Sequence, residues 1–469
     1  MQLQPPRPRV GLLAVTLELY EQLAPGIRQQ REQWLHGSVL PALASVAEVR
    51  FSRTAYRRED VETVVAEYEA AGVDALLVVF LTYAPSQIVL PALQRIRLPI
   101  VIWNTQELLA VNGEFDSLSM SHNHGVHGTQ DAANVLVRTG VPFHYITSHI
   151  SDARGLEELS DYFAAASAVN RLRGCRLGLL GYPFPGMGDL GFCTTHLIST
   201  LGCSWTSLPL EMYHQRAAAA PTGAVEELKS EYLRCYEVAD DVCDADLIAT
   251  ARAEISLRSI VADQHLDAFS FQFMAFGEDE RTVTLPFVAA SRLMADGVGF
   301  AGEGDLIGAT GTWLLNRLRS PASFSEIFTI DFQGNGLFLS HMGEANVAMA
   351  RKDRKVPLVA RPVPITRTLG RQLSLVTSFE PGPATLCALT LGLQNRWRLI
   401  TSRMEIQDFG PLPSLPVPHC KVVNHADVRD WLTAYAKAGG PHHNAICFGD
   451  AHQRLKFTAE MIDADYCEV

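Results

Sequence analysis

The first hundred residues repeat one pattern, a short apolar run followed by an amphipathic stretch. Val10–Val15 predicts a strand and Ile27–Val46 a helix; Val49–Ser52 predicts a short strand and Arg58–Ala71 a helix. The strand Ala75–Phe80, a helix near Ser86–Arg95 and the strand Ile100–Trp103 complete the series. Apolar runs without polar alternation are strands buried on both faces, and these require a parallel sheet covered by helices on either side. Ligands of such sheets sit at the carboxyl ends of the strands. Glu18, Tyr83 and Gln106 each follow a strand in that position.

A second cycle of the same kind begins at Leu177–Gly181 and runs into a Gly- and Pro-rich loop, Tyr182–Asp189. Helices near Ala224–Cys235 and Asp244–Asp263, a strand over Ala268–Phe273 and a helix near Phe287–Asp296 follow. From about Ser320 the rhythm changes. Strand-like runs at Phe328–Phe332, Gly336–Ser340, Leu373–Phe379 and Leu386–Leu391 are separated by Gly, Pro and Asn, a spacing that suggests an antiparallel, barrel-like domain. A helix over Asp427–Ala438 and a closing helix–strand unit end the chain. With 469 residues the chain exceeds one compact core, since domains usually hold roughly 100–200 residues. The reading is therefore α/β: two Rossmann-like doubly wound domains, 1–170 and 171–320, followed by a C-terminal β-barrel-like domain, 321–469.

Charge and cysteine usage exclude several classes. The formal net charge is -12 and the arginines are scattered, so no basic stripe exists for nucleic acid or anionic lipid. Nine cysteines, an odd count without a CxxC pair, indicate neither a disulfide framework nor a zinc ribbon. The opening MQLQPPRPRV has no apolar signal-peptide core, and the longest apolar runs are of strand length. The expectation is a soluble, cytoplasmic protein with no membrane or nucleic-acid partner.

The histidines cluster. Ser121–His127 reads SHNHGVH and Pro441–His443 reads PHH. His122, His124 and His127 form a possible metal cluster, or else surface and capping residues; His127 would sit at the start of the helix Gln130–Arg138, where free N–H groups favour polar ligands. Glu303, within GFAGEGDLIGATG, follows a short strand and precedes an apolar helix. Flanking glycines let the backbone approach a ligand there, but a carboxylate complementing a helix dipole reads the same way. Glu326 at the edge of a strand run and His341 just after one have solvated or core readings too. Together, two carboxylates and two imidazoles without a thiolate suit Mn²⁺, Co²⁺ or a similar octahedral ion better than structural zinc. No P-loop, no GxGxxG after the first strand and no GxSxG elbow is present.

Three long stretches carry a family resemblance: TLPFVAASRLMADGVGFAGEGD (Thr284–Asp305), SEIFTIDFQGNGLFLSHMGE (Ser325–Glu344), and the run from Ala438 through GGPHHNAICFGDAHQRLKFTAEM to Met461. They resemble, in order, segments of the L-arabinose isomerase and L-fucose isomerase superfamily, closer to the arabinose branch. Shorter matches fall at Thr82–Ser86, Asn104–Gln106 and Asn123–Gly128. The resemblance implies two Rossmann-like domains and a C-terminal β-barrel, assembled as trimers or hexamers with active sites at subunit interfaces. It implies metal ligands at Glu303, Glu326, His341 and His443, with Mn²⁺, Co²⁺ or Mg²⁺ as the ion, and the two glutamates as the acid/base pair. His442 takes a supporting role, and His127 falls where the family has a histidine reaching the sugar from a neighbouring subunit. Glu18, Tyr83 and Gln106 complete the expected sugar-binding set.

The implied activity is aldose–ketose isomerisation of a sugar (a pentose, deoxyhexose or modified hexose) through a cis-enediol; a non-catalytic sugar sensor and a metal-dependent epimerase are the alternatives. The sugar-reading residues depart from the family. Where arabinose isomerases carry Ser-Gln-His-Leu-Tyr this chain has TLELY (Thr16–Tyr20), Tyr83 replaces a phenylalanine, Gln87 replaces a lysine, and the sequence stops at Val469, short of the usual tail.

Overall fold

The computed structural model describes residues 7–366 and 370–469. The first six residues, part of the segment read above as lacking a signal-peptide core, lie outside them. One compact unit runs to Asn170 and the other from Arg171 to Val469.

In the first unit β1 (Arg9–Val15), β2 (Glu48–Arg50), β3 (Ala75–Phe80), β4 (Ile100–Asn104) and β5 (His144–Thr147) form one parallel sheet in the order β2-β1-β3-β4-β5. β3 is buried throughout and β1 in all but its first residue, which is why both read as continuous apolar runs. The strand order reverses between β1 and β3, so the crevice beyond their carboxyl ends opens between Thr16–Glu18 and Thr82–Tyr83. The helix Gly125–Thr139 closes against the end of β3. A β-carbon at Gly125 would lie 2.2 Å from the Phe80 carbonyl oxygen, and one at Gly128 2.4 Å from the Phe80 ring.

The helix expected over Ile27–Val46 is broken differently. It runs as Gly26–Trp34, a π-helical turn at Leu35–Val39 and a last turn Leu40–Leu43. Pro41 is the cause: it has no N–H for the usual bond and its ring crowds the carbonyl one turn back, so the ladder widens just before it.

The second unit opens with β6 (Arg176–Leu180), β7 (Ser204–Leu208), β8 (Glu237–Val238), β9 (Ala268–Phe271) and β10 (Gly299–Ala301). Four of these make a parallel sheet, β10-β9-β6-β7. β9 stops two residues sooner than expected because Gln272 caps the next helix, its side chain accepting from the Met274 N–H.

Nine strands follow: β11 (Ala322–Asp331), β12 (Gly336–Ser340), β13 (Pro357–Arg361), β14 (Gln372–Leu375), β15 (Gly382–Leu391), β16 (Trp397–Ile406), β17 (His419–Val423), β18 (His443–Phe448) and β19 (Asp465–Glu468). Seven pair in the order β15-β18-β11-β12-β17-β16-β19, and β15 also pairs with β16, so the pairings of the first six run in a cycle. The sheet is mixed rather than purely antiparallel, because β19 joins β16 in parallel. β13 and β14 lie outside it, β13 pairing with β14 on one side and β8 on the other. β11 begins six residues before the expected Phe328, its first four residues buried among the core. The Leu306–Leu318 helix is buried on almost every side and packs against β10 as well as β11, β15 and β18. A helix apolar all round belongs inside a core, and this one joins the parallel and mixed sheets into a single unit. Among the described residues no helix is long and apolar enough to cross a membrane.

Candidate metal centre

Strand register assembles the first part of the site. Glu326 on β11 lies opposite His443 on β18 and opposite Ser340 on β12. Residues directly opposite in a ladder share a face, so Glu326 and His443 are neighbours, and His341 comes one residue after Ser340. Glu326, His341 and His443 each offer a ligand atom within 4.8 Å of the others.

Glu303 enters from the loop after β10. It holds φ 61°, a left-handed conformation that a glutamate adopts only when its surroundings impose it. The surroundings are specific. Its carbonyl accepts from the Phe184 N–H at 2.9 Å, and Gly304 (φ 80°) allows no β-carbon, which would sit 2.5 Å from the Tyr182 carbonyl oxygen. The turn delivers the Glu303 carboxylate to within 3.5 Å of His443 Nε2 and 3.8 Å of His442 Nε2. Glu303, His442 and His443 form a second group of possible ligands sharing His443 with the first. Gly302 also matters, since a β-carbon there would lie 2.6 Å from His341 Cε1.

Each imidazole is anchored by a carboxylate through its Nδ1. His341 Nδ1 donates to Glu344 at 2.7 Å, His443 Nδ1 to Asp305 at 2.9 Å, and His442 Nδ1 to Asp189 at 2.5 Å. An ionised carboxylate only accepts, so the proton resides on Nδ1 and each Nε2 is directed elsewhere. All three Nε2 atoms are buried and make no hydrogen bond. The Phe324 ring meets His341 and His443 edge-on, with centroids 4.7 and 4.9 Å away, and fixes both ring planes. Asp305 serves twice: one oxygen caps the Leu306–Leu318 helix by accepting from Gly308 N–H at 2.8 Å, while the other holds His443.

Burial works to raise the Glu303 carboxyl, but the imidazoles of His442, His443 and His341 hold it well below the usual carboxylate range. Burial likewise disfavours charge on His443, yet the Asp305 and Glu303 carboxylates push its pKa up to about 10. Contact with Glu303 raises His442, against its own burial. The acidic groups thus make this a place for positive charge. Burying the nearly inaccessible Asp305 and Glu344 carboxylates costs several kcal/mol each before pairing, an arrangement that stability alone does not call for. Carboxylate–histidine pairs that leave Nε2 without a hydrogen bond are what metal-ligating imidazoles show. The donor set fits a divalent cation: Glu303, Glu326, His341 and His443 can hold it, with His442 beside Glu303.

The structure therefore gathers five of the residues singled out in the sequence. The others, Glu18, Tyr83, Gln106 and His127, belong to the first unit. There His127 Nδ1 is 2.5 Å from His124 Nε2, the Tyr83 ring is 5.9 Å from the His124 ring, Glu18 pairs with Arg57 at 2.6 Å, and Gln106 donates to the Leu108 carbonyl. His124 precedes the first residue of its helix, so it occupies the capping position. The anchoring carboxylates Asp189, Asp305 and Glu344 were not singled out from sequence. Glu344, three residues after His341, and Asp305, immediately before an apolar helix, had positional signals; Asp189 lies in a loop with none.

Residues 321–465 match the L-arabinose isomerase C-terminal domain, and residues 196–318 match the L-arabinose isomerase central domain, together over half of the chain. Three similar proteins, each named L-arabinose isomerase, extend the likeness. That of Nocardioides sp. is 29% identical over 409 residues, 82% of this chain and 79% of the relative. That of Acidothermus cellulolyticus is 26% identical over 412 residues, 84% and 80% respectively. That of Thermotoga neapolitana is 26% identical over 438 residues, 91% and 84%.

Proposed function

This chain belongs to the L-arabinose isomerase family, and on that premise we propose that it is an aldose–ketose isomerase whose reaction takes place at the Glu303–Glu326–His341–His443 centre. The observation that carries the reading is the trio of carboxylate-anchored imidazoles whose buried Nε2 atoms make no hydrogen bond and lie beside two glutamates. A divalent ion such as Mn²⁺, Co²⁺ or Mg²⁺ would supply a Lewis acid for the carbonyl and adjacent hydroxyl oxygens of the sugar.

The residues do the proton work. One of Glu303 and Glu326 takes the proton from the carbon beside the carbonyl, giving a cis-enediol, and returns it to the neighbouring carbon. The other moves a proton between the two oxygens. His442, held by Asp189, borders Glu303 and orients the sugar. Exclusion of water by the buried His341–Phe324–His443 wall strengthens each charged contact.

We read the substrate as a pentose, deoxyhexose or modified hexose, and the residues around the sugar do not identify it as arabinose. Leu17, Glu18, Tyr83 and Gln87 replace the residues that arabinose isomerases use around the sugar. His127, Glu18, Tyr83 and Gln106 form the sugar-binding set. We further read three domains with boundaries after 170 and 320, the last a barrel formed by the cycle of strands. The assembly is a cytoplasmic trimer or hexamer, with His127 reaching the site from a neighbouring subunit.

The test is a panel of aldoses and ketoses assayed for interconversion with Mn²⁺, after chelation, and after Mn²⁺ is restored. One sugar pair should be interconverted, activity should vanish on chelation and return with the ion, and Glu303→Gln and Glu326→Gln should each be inactive but folded. Sugar binding that survives chelation with no interconversion of any pair would identify a sensor instead.

A further inference from the structure

Three imidazoles at the centre are prepared alike, yet the four-residue ligand set uses only two of them. His442 is held twice by Asp189, which accepts from its backbone N–H at 3.2 Å and from Nδ1 at 2.5 Å. With the proton on Nδ1, Nε2 carries a lone pair, and it points at a carboxylate that has only lone pairs to offer. The two atoms stand 3.8 Å apart, too far for a hydrogen bond, and Nε2 makes none elsewhere. His443 Nε2 faces the same Glu303 oxygen at 3.5 Å, and the rings of His442 and His443 lie side by side with centroids 4.1 Å apart. Opposed acceptors of this kind are reconciled by a cation between them.

The spacing suits one. Donors of a common octahedral ion lie about 3 Å apart when adjacent and about 4.3 Å apart when opposite, and both distances from Glu303 fall in that range. The ligand atoms form two triads, Glu326–His341–His443 and Glu303–His442–His443, each within 4.8 Å mutually. They share His443, whose Nδ1 is taken by Asp305, so its one remaining lone pair serves one ion at a time. The triads are therefore alternative positions for a single ion. They also differ in depth. The side chains of His442 and Glu303 are 29% and 14% exposed, those of His341 and His443 4% and 0%.

We propose that Glu303, His442 and His443 form a loading station, which takes up a divalent ion and passes it inward to Glu326 and His341. His443 and Glu303 keep hold throughout, and His442 is the ligand given up. The inference rests on the reading of the centre as a metal site and adds to it a route by which the buried imidazoles receive their ion.

Stopped-flow and equilibrium binding of Mn²⁺ to the full chain, with diffraction at the manganese edge, test this without turnover. A waypoint lowers the barrier in both directions. His442→Ala should therefore slow Mn²⁺ association and release alike, by about tenfold each, and leave the equilibrium affinity unchanged. His341→Ala should still bind one Mn²⁺ per chain, with the anomalous peak shifted to Glu303, His442 and His443. If His341→Ala does not fold, the kinetics of His442→Ala decide. The station is overturned if His442→Ala loads at the parent's rate, or if it loses affinity through faster release alone. It is equally overturned if the His341→Ala peak stays beside Glu326 or is lost while the parent binds Mn²⁺. A parent that binds no Mn²⁺ overturns the metal reading itself, and the station with it.

Discussion

Four side chains carry the proposed chemistry, but their usefulness depends on residues that never touch a substrate. Glu344 and Asp305 settle which nitrogen of His341 and His443 carries the proton, and Gly302 makes room for the His341 ring. Glu344→Gln should leave the fold intact and lower Mn²⁺ affinity by about 10–100-fold, as loss of such an anchoring carboxylate does elsewhere. Gly302→Ala should do the same by a different route, its methyl displacing the His341 ring. Titration of Mn²⁺ into each variant, beside its thermal unfolding curve, checks both; unchanged affinity in Glu344→Gln would mean that His341 is a packing residue. These anchors were hard to read in advance. A carboxylate three residues from a histidine, as in HMGE, is commonplace in sequence, and only the turn after β12 reveals that the two side chains meet. Asp189 is still less legible, because the distance from it to His442 spans more than half of the second unit's sequence.

Among the elements, the ladder of β11 with β12 and β18 does most to build the centre. A slip of one residue would turn Glu326 to the opposite face, so the register that opposes it to His443 is as necessary as the residues themselves. The strands were legible where a face is wholly buried, as in β3, or where glycine and a polar turn bound the run, as in β12. The start of β11 is hard to read because Ser323 and Ser325 flank Phe324 and look exposed in the sequence, yet both are buried, the Ser323 hydroxyl donating to the Phe324 carbonyl. The helix after Glu303 offers an element-scale test, since Asp305 both caps it and holds His443. Asparagine can still cap. Asp305→Asn should therefore unfold near the parent's temperature while losing about 10–100-fold in Mn²⁺ affinity. Asp305→Ala should lose the affinity and about 1 kcal/mol of stability as well. Equal unfolding temperatures for the two variants would show that the cap contributes nothing.

Across the whole molecule, the division at residue 170 separates two cores, each with its own buried apolar cluster. All five residues gathered at the centre lie in the second unit, and the departures from the arabinose-type pattern at Leu17, Glu18, Tyr83 and Gln87 lie in the first. The α/β character and parallel sheets were legible from the apolar rhythm, because buried parallel strands leave an unbroken signature. The pairing of β8 with β13 was not, since a two-residue strand carries no pattern of its own. A fragment comprising residues 171–469 should consequently fold and bind Mn²⁺ with near-parental affinity, yet isomerise no sugar. Circular dichroism, Mn²⁺ titration and the sugar panel together check this; a fragment that folds but binds no ion would place essential ligands in the first unit.

The most direct measurement is diffraction from Mn²⁺-soaked crystals at the manganese absorption edge. One strong anomalous peak per chain is expected, within coordinating distance of Glu303, Glu326 and the Nε2 atoms of His341 and His443. A peak at other residues, or coordination through Nδ1 in place of Glu344 and Asp305, would contradict it.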